Sequence, residues 1–362
     1  VSALTESDVL ALHRMLVSTP SVSGSEQEIA DRMAGFLAER GLPVTRLGNS
    51  VLALHGSGPL LLLDSHLDTV PPGPGWSTAP FAATVIGDRV LGLGANDAKA
   101  SVAAMTAAFL DAAGESLGIT LGLALVASEE TTAQGTQDVL EHLAREGHAV
   151  EAAVFGEPTE LQLAVAQKGL LVLELVARGT TRHAGHPRAR GETSAVRLLA
   201  RDLRELDDVD LAPDDPRLGR ATLEPTVVRA GAARNVVPSE ATATVDGRTT
   251  PALPPEEIVT RLRAVLSSEV RVVSDRLGPR ATPESCTLLR AARVARPGAR
   301  EYGSPTLSDW ALLPAATPAL KVGPGSSARS HKPDEFVHER EVLEGAQFYA
   351  RLVRAFAAGM MA

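Results

Sequence analysis

Five separate stretches of the chain each end an apolar run in an acid or an imidazole. "PLLLLDSHLDTV" delivers His66 and Asp68, "LGLGANDAKA" delivers Asp97, and "ALVASEE" delivers Glu129 and Glu130. "AAVFGEPTE" delivers Glu157, and "KVGPGSSARSHKPDEF" delivers His331. One charge just past a strand is ordinary, because it stays in water there. Five such ends in one chain point to a shared use. Imidazole and carboxylate are hard or borderline metal ligands. No thiolate set competes with them, since Cys286 is the only cysteine. Two His with three or four carboxylates suit a pair of divalent ions such as Zn²⁺, one carboxylate bridging. Two ions roughly 3.5–4 Å apart can clamp the attacking and leaving oxygens of a hydrolysis.

The local spacings carry further chemistry. In an extended segment His66 and Asp68 point the same way. A metal-bound imidazole usually gives its other N–H to a carboxylate, so Asp68 is expected to orient His66. Glu129 and Glu130 are adjacent and point oppositely. One can hold metal while the other takes a proton from water; the spacing alone does not say which does which.

These residues need a frame that brings strand ends together. Residues 5–16 read as an amphipathic helix capped by Thr5. A second helix is expected from "SEQE", where Ser25 and Glu28 have capping-box spacing. Its stripe is Ile29, Met33, Phe36 and Leu37, and Gly41 stops it. Strands alternating with helices then suggest an α/β fold with a doubly wound, mostly parallel sheet. In such sheets the site lies outside the carboxyl ends of the strands. Near residue 168 the order changes to βαββαβ, a ferredoxin-like pattern. The expected domains are therefore 1–167 and 278–362, together forming one catalytic domain, with 168–277 inserted into it.

Bulk properties narrow the function. The 362-residue chain has a formal net charge of −9, which argues against a nucleic-acid partner. No run reaches 18 apolar residues, so no membrane span is expected. The opening "VSALTESDVLALHRML" shows no basic segment followed by an apolar one, so no secretory signal is expected. A single cysteine fits a reducing cytoplasm. Only four residues are lysine: Lys99, Lys168, Lys321 and Lys332. Three of them, Lys99, Lys321 and Lys332, fall inside the same stretches that carry Asp97 and His331.

The segments "SHLDTVP", "GLGANDAKA", "ASEE", "FGEPT", "RHAGHP", "RNVVP" and "SHKPDEFV" follow the order and approximate spacing of the di-zinc M20 amidohydrolases. This resemblance covers about residues 60 to 340. It implies that His66 and Glu157 hold one ion, that Glu130 and His331 hold the other, and that Asp97 bridges them. Zinc is the expected metal, with cobalt or manganese as substitutes. It also implies that Glu129 is the general base, that Asp68 orients His66, and that the Asp97–Ala98 peptide is cis. The inserted segment resembles the family's lid and dimerisation module. By that likeness His183 would reach the substrate carbonyl of a neighbouring subunit in a homodimer. Asn235, Arg248, Gly323 and Gly325 would contact substrate, and Asp309, within "LSDW", would be a further contact. Two departures stand out: Ala100 follows Lys99 where the family commonly has Gly, and "SEE" replaces the more usual "DEE". The implied substrate is a small N-acyl amino acid, with N-acetylornithine deacetylase as the single best match. Carrier-protein lysine/ornithine hydrolase, succinyl-diaminopimelate desuccinylase and metallo-exopeptidase keep the chemistry and change the substrate. A non-catalytic, metal-stabilised binding protein is the alternative of another class. Glu129 speaks against it, because a scaffold has no use for a carboxylate beside its ligands.

Overall fold

The computed structural model describes residues 2–361, which divide into two compact units. The first collects residues up to Val165, Thr282–Tyr302 and those from Ser308 onward. The second holds Ala166–Ala281 with Gly303–Leu307.

In the first unit the sheet order is Val44–Leu47, Ser50–Gly56, Thr120–Val126, Leu60–His66, Val150–Phe155, Ala319–Lys321, Leu163–Gln167. The middle four strands are parallel, and the joints on either side are antiparallel. The expected parallel character thus belongs to the centre of the sheet. The reason is burial. "LLLLDSH" and "TLGLALV" are buried at every position, as strands covered on both faces must be. Their side chains alternate between two cores. Leu61, Leu63, Leu123 and Leu125 join one; Leu60, Leu62, Ala124 and Val126 join the other. The helix Lys99–Ala112 lies wholly inside the first core, with every residue but Asp111 buried. Its alanines permit close approach: a Cβ on Gly345 of the C-terminal helix Glu339–Met361 would sit 3.2 Å from Ala104 Cβ.

Helix starts show where local rules hold and where they yield. Thr5 caps the helix Glu6–Val17 through a reciprocal pair with Asp8. The cap expected at Ser25 does not form. The second helix runs Gln27–Ala38 without a side-chain cap. Its preceding residue, the buried Glu26, is drawn away to Gly24, Asn49 and Ser128. Tertiary hydrogen bonds outcompete the local box.

The second unit has four antiparallel strands ordered Thr222–Ala230, Glu240–Thr249, Gly169–Arg178, Glu269–Leu277. In chain order that is 2-3-1-4, the ferredoxin-like arrangement of βαββαβ. Helices Ala195–Glu205 and Pro255–Val265 cover one face through Leu199, Ile258 and Leu262, against Leu171, Leu173 and Leu175. Among the described residues no helix is long and apolar enough to cross a membrane.

Candidate metal centre

The strand Leu60–His66 ends in polar residues that each find a buried partner. Ser65 Oγ donates to the carbonyl of Gly156 at 2.9 Å. His66 is 2% exposed. Its Nδ1 lies 2.9 Å from the main-chain carbonyl of Asp68 and 3.6 Å from that residue's carboxylate. A carbonyl can only accept, so Nδ1 carries the hydrogen and its nearest acceptor is Asp68's main chain. The other nitrogen, Nε2, faces Asp97 Oδ1 at 3.2 Å. A lone pair aimed at a carboxylate requires a proton or a cation at that point.

Asp97 arrives on the loop that opens the helix Lys99–Ala112, after a cis Asp97–Ala98 peptide. Glu130 reaches the same spot. His66, Asp97 and Glu130 each offer a ligand atom, all within 4.8 Å of one another. His331 Nε2 lies 2.9 Å from Glu130 Oε1 and 3.8 Å from Asp97 Oδ2. The hydrogen bond to Glu130 is the chief reason its imidazole is raised to about 9. Removal from water, then the nearby Asp97 charge, pushes Glu157 up to about 8. Burial opposes the charged form of His66, yet Asp97, Glu129, Asp68 and Glu157 together hold it well above the ordinary range. Carboxylates crowded at this spacing repel one another unless positive charge sits among them. The donor set fits divalent cations.

Asp68 does more than face His66. Its Oδ1 accepts the main-chain N–H of Glu129 at 3.1 Å, and its Oδ2 accepts that of Glu130 at 3.2 Å. The Ser23 hydroxyl adds a third bond at 2.7 Å. The two glutamates then diverge, Glu130 onto His331 and Glu129 into the neighbourhood of Glu157, Asp309 and His66. Loss of water, followed by the charges of Glu157 and Asp309, raises Glu129 well above the usual carboxylate range. Ser128 is left-handed at φ 61°, a conformation that L side chains resist. Glu26 holds it there through both its N–H (3.2 Å) and its hydroxyl (3.1 Å).

Several contacts at the site are not announced by the sequence. Lys321 is 3% exposed and ends the central strand Ala319–Lys321. Burial lowers its pKa against the pull of Glu157, Glu129 and Asp97. Its signal was its rarity: one of four lysines, placed at the end of an apolar strand. Asp64 and Asp309 share Thr136, whose hydroxyl lies 3.3 Å from one and 2.6 Å from the other. Burial and then the Asp309 charge push Asp64 well above its ordinary value. Nothing in the spacing of Asp64, Thr136 and Asp309 foretells that meeting.

The remaining expected residues are placed as follows. Asp309 is 3% exposed and accepts a hydrogen bond from Thr136. Gly325 has φ 80°, and a Cβ there would lie 2.2 Å from Asn96 Oδ1; glycine is required by Asn96. Gly323 is likewise crowded, by Ser101 Oγ at 2.4 Å. In the second unit His183 and Asn235 are neighbours. Arg182–His183 pairs with Val236–Val237, and Ala184 N–H donates to the Asn235 carbonyl at 2.8 Å. Both are exposed. Arg248 turns its fork onto Asp246 of its own strand at 2.7 and 3.1 Å. A substrate carboxylate would have to displace that acid.

Comparison with known proteins gives a consistent picture. Residues 62–355 match the model of peptidase family M20/M25/M40. The chain is 31% identical to a probable carboxypeptidase of Aspergillus oryzae, over 97% of this chain and 91% of the relative. It is 32% identical to a succinyl-diaminopimelate desuccinylase of Xanthomonas campestris, over 96% and 98%. Among solved structures, a dinuclear metal binding peptidase of Bacillus subtilis superposes with a TM-score of 0.74 at 19% identity, covering 98% of each chain.

Proposed function

This chain belongs to the M20/M25/M40 peptidase family of hydrolases, and on that premise we propose that it is a di-metal amidohydrolase cleaving the N-acyl amide of a small amino acid. The single observation that carries this is convergence. Residues 66, 97 and 130, from three distant segments, present ligand atoms within 4.8 Å of one another, with His331 2.9 Å from Glu130. In this reading His66 and Glu157 would hold one ion and Glu130 and His331 the other, with Asp97 serving both. Divalent ions supply Lewis acidity that polarises the amide carbonyl and acidifies water. Zinc suits the donors, with cobalt or manganese as substitutes.

Glu129 performs the proton work. Its carboxylate accepts a proton as the water oxygen bonds to the carbonyl carbon. It returns that proton to the amine nitrogen as the C–N bond breaks. The Asp68 carboxylate fixes the main chain of both glutamates, and its main-chain carbonyl accepts the His66 N–H. The partner subunit's His183 would hydrogen-bond the carbonyl oxygen as negative charge develops there, with Asn235 beside it. A homodimer through the inserted unit is supported by the edge strand Thr222–Ala230, whose Val227 and Val228 are exposed. The lone cysteine supports a cytoplasmic setting.

The finer substrate is N-acetylornithine, on the strength of "SHLDTVP" and "FGEPT". A second reading, N-succinyl-diaminopimelate, is favoured by the desuccinylase relative. The test is a panel run on metal-reconstituted protein: N-acetylornithine, N-acyl lysine, N-succinyl-diaminopimelate and a blocked dipeptide. Hydrolysis of one at kcat/KM of ~10⁴ M⁻¹s⁻¹ or more supports the proposal. No amide turnover with any member contradicts it.

A further inference from the structure

Glu335 lies four residues beyond His331 and is 2% exposed. Its carboxylate is spent on main chain. Oε1 accepts the N–H groups of Asn96 and Asp97, each at 2.9 Å, and Oε2 accepts that of Gly94 at 3.1 Å. The Glu335 carbonyl also accepts the Gly92 N–H at 3.0 Å. Successive N–H groups turned to one side form a concavity suited to an anion, and here a side chain of the same protein fills it. The loop is gripped from other sides as well. His13 Nε2 bonds the Ala95 carbonyl at 2.8 Å. Asn96 exchanges bonds with the main chain of Ser326 at 2.9 and 3.1 Å, and donates to Ser330 Oγ at 3.2 Å. The segment 94–97 is therefore fixed to the segment 326–335. One contains Asp97 and the other His331.

We infer that Glu335 is a positioning residue that locks Asp97 and His331 to each other, so that metal affinity at their shared site depends on a carboxylate that touches no ion. The inference rests on the proposed roles of Asp97 and His331. The chemistry requires a carboxylate at this point. Three N–H donors converge on two oxygens, and a carboxamide of the same shape offers one oxygen and one NH₂. In a Glu335→Gln chain either Gly94 or the Asn96–Asp97 pair meets a donor instead of an acceptor, and the Asp97 loop shifts.

The experiment is a cobalt titration of the metal-free full-length chain, followed by visible absorption and by competition with a chelator. The wild type takes up two equivalents. E335Q binds cobalt ~10–100-fold more weakly at one or both sites, with a changed d–d band. Its circular dichroism matches wild type. N96A, which frees the same loop from the Ser326 side, carries the same expectation should E335Q fail to fold. A folded E335Q with wild-type affinity and spectrum overturns the positioning role while leaving the metal reading intact. A wild-type chain that takes up no cobalt overturns both.

Discussion

Replacing Glu129 with glutamine isolates the proton step from metal binding. The loop does not depend on this side chain: the bonds to Asp68, at 3.1 and 3.2 Å, come from the main-chain N–H groups of Glu129 and Glu130. The five proposed ligands are untouched. Glutamine reproduces the protonated glutamic acid in shape and charge, but it cannot accept the proton from water. Losing a general base typically costs ~10²–10⁴ in rate, which is ~3–5 kcal/mol of barrier. Glu129→Asp keeps the base but withdraws it by one methylene, and a misplacement of ~1 Å costs on the order of 10²-fold. The assay measures kcat and KM on the best substrate of the panel, with metal content by atomic absorption on the same samples. The expected result is a fall of ~10²–10⁴ in kcat for E129Q at wild-type metal content. Turnover within about threefold of wild type would refute the role given to Glu129. Loss of metal would make it a ligand and break the division of labour between the two glutamates.

Two further predictions concern buried polar groups. His13 is buried and its pKa is lowered to about 4, chiefly by desolvation. As pH falls below 6.5 the unfolded chain takes up this proton first, so His13 costs the fold about 3 kcal/mol between pH 7 and pH 4. Urea unfolding of His13→Gln should lack that increment, and identical pH slopes for the two chains would contradict it. Asp68→Asn sets an NH₂ against the main-chain N–H of Glu129 or Glu130. It should lower stability by ~1–3 kcal/mol, seen as a lower Tm of the metal-free protein, and reduce kcat/KM. An unchanged Tm would show that these bonds carry no weight.

What could be read from the residues was whatever a strand end displays. "LLLLDSH" announces a buried strand that stops in polar groups, and the acids at 97, 129, 130 and 157 repeat that pattern along the chain. The ferredoxin-like order was legible because strand-like and helix-like stretches follow one another there, and Gly169–Arg178 and Glu240–Thr249 largely alternate buried with less buried positions. What stayed hidden was pairing over long sequence distance. Glu335, in "KPDEF", shows no role in the sequence until the main chain of residues 94–97 folds over it. Glu26 reads as the first turn of a helix until Ser128 claims it. Asp309 reads as a substrate contact, and its bond from Thr136 is not announced by the spacing. Gly325 reads as a place where backbone meets substrate, and its close packing on Asn96 is not visible in the spacing. Local spacing reports a side chain's direction along its own element, and none of these roles is decided there.

The most direct test of the centre is a crystal structure of the zinc-loaded chain with anomalous differences collected at the zinc edge. Two peaks should appear, each within ~2.0–2.2 Å of its ligands: one between His66 and Glu157, one between Glu130 and His331, with Asp97 touching both. A lone peak, or peaks bound by other residues, would contradict the two-ion centre on which the proposed hydrolysis depends.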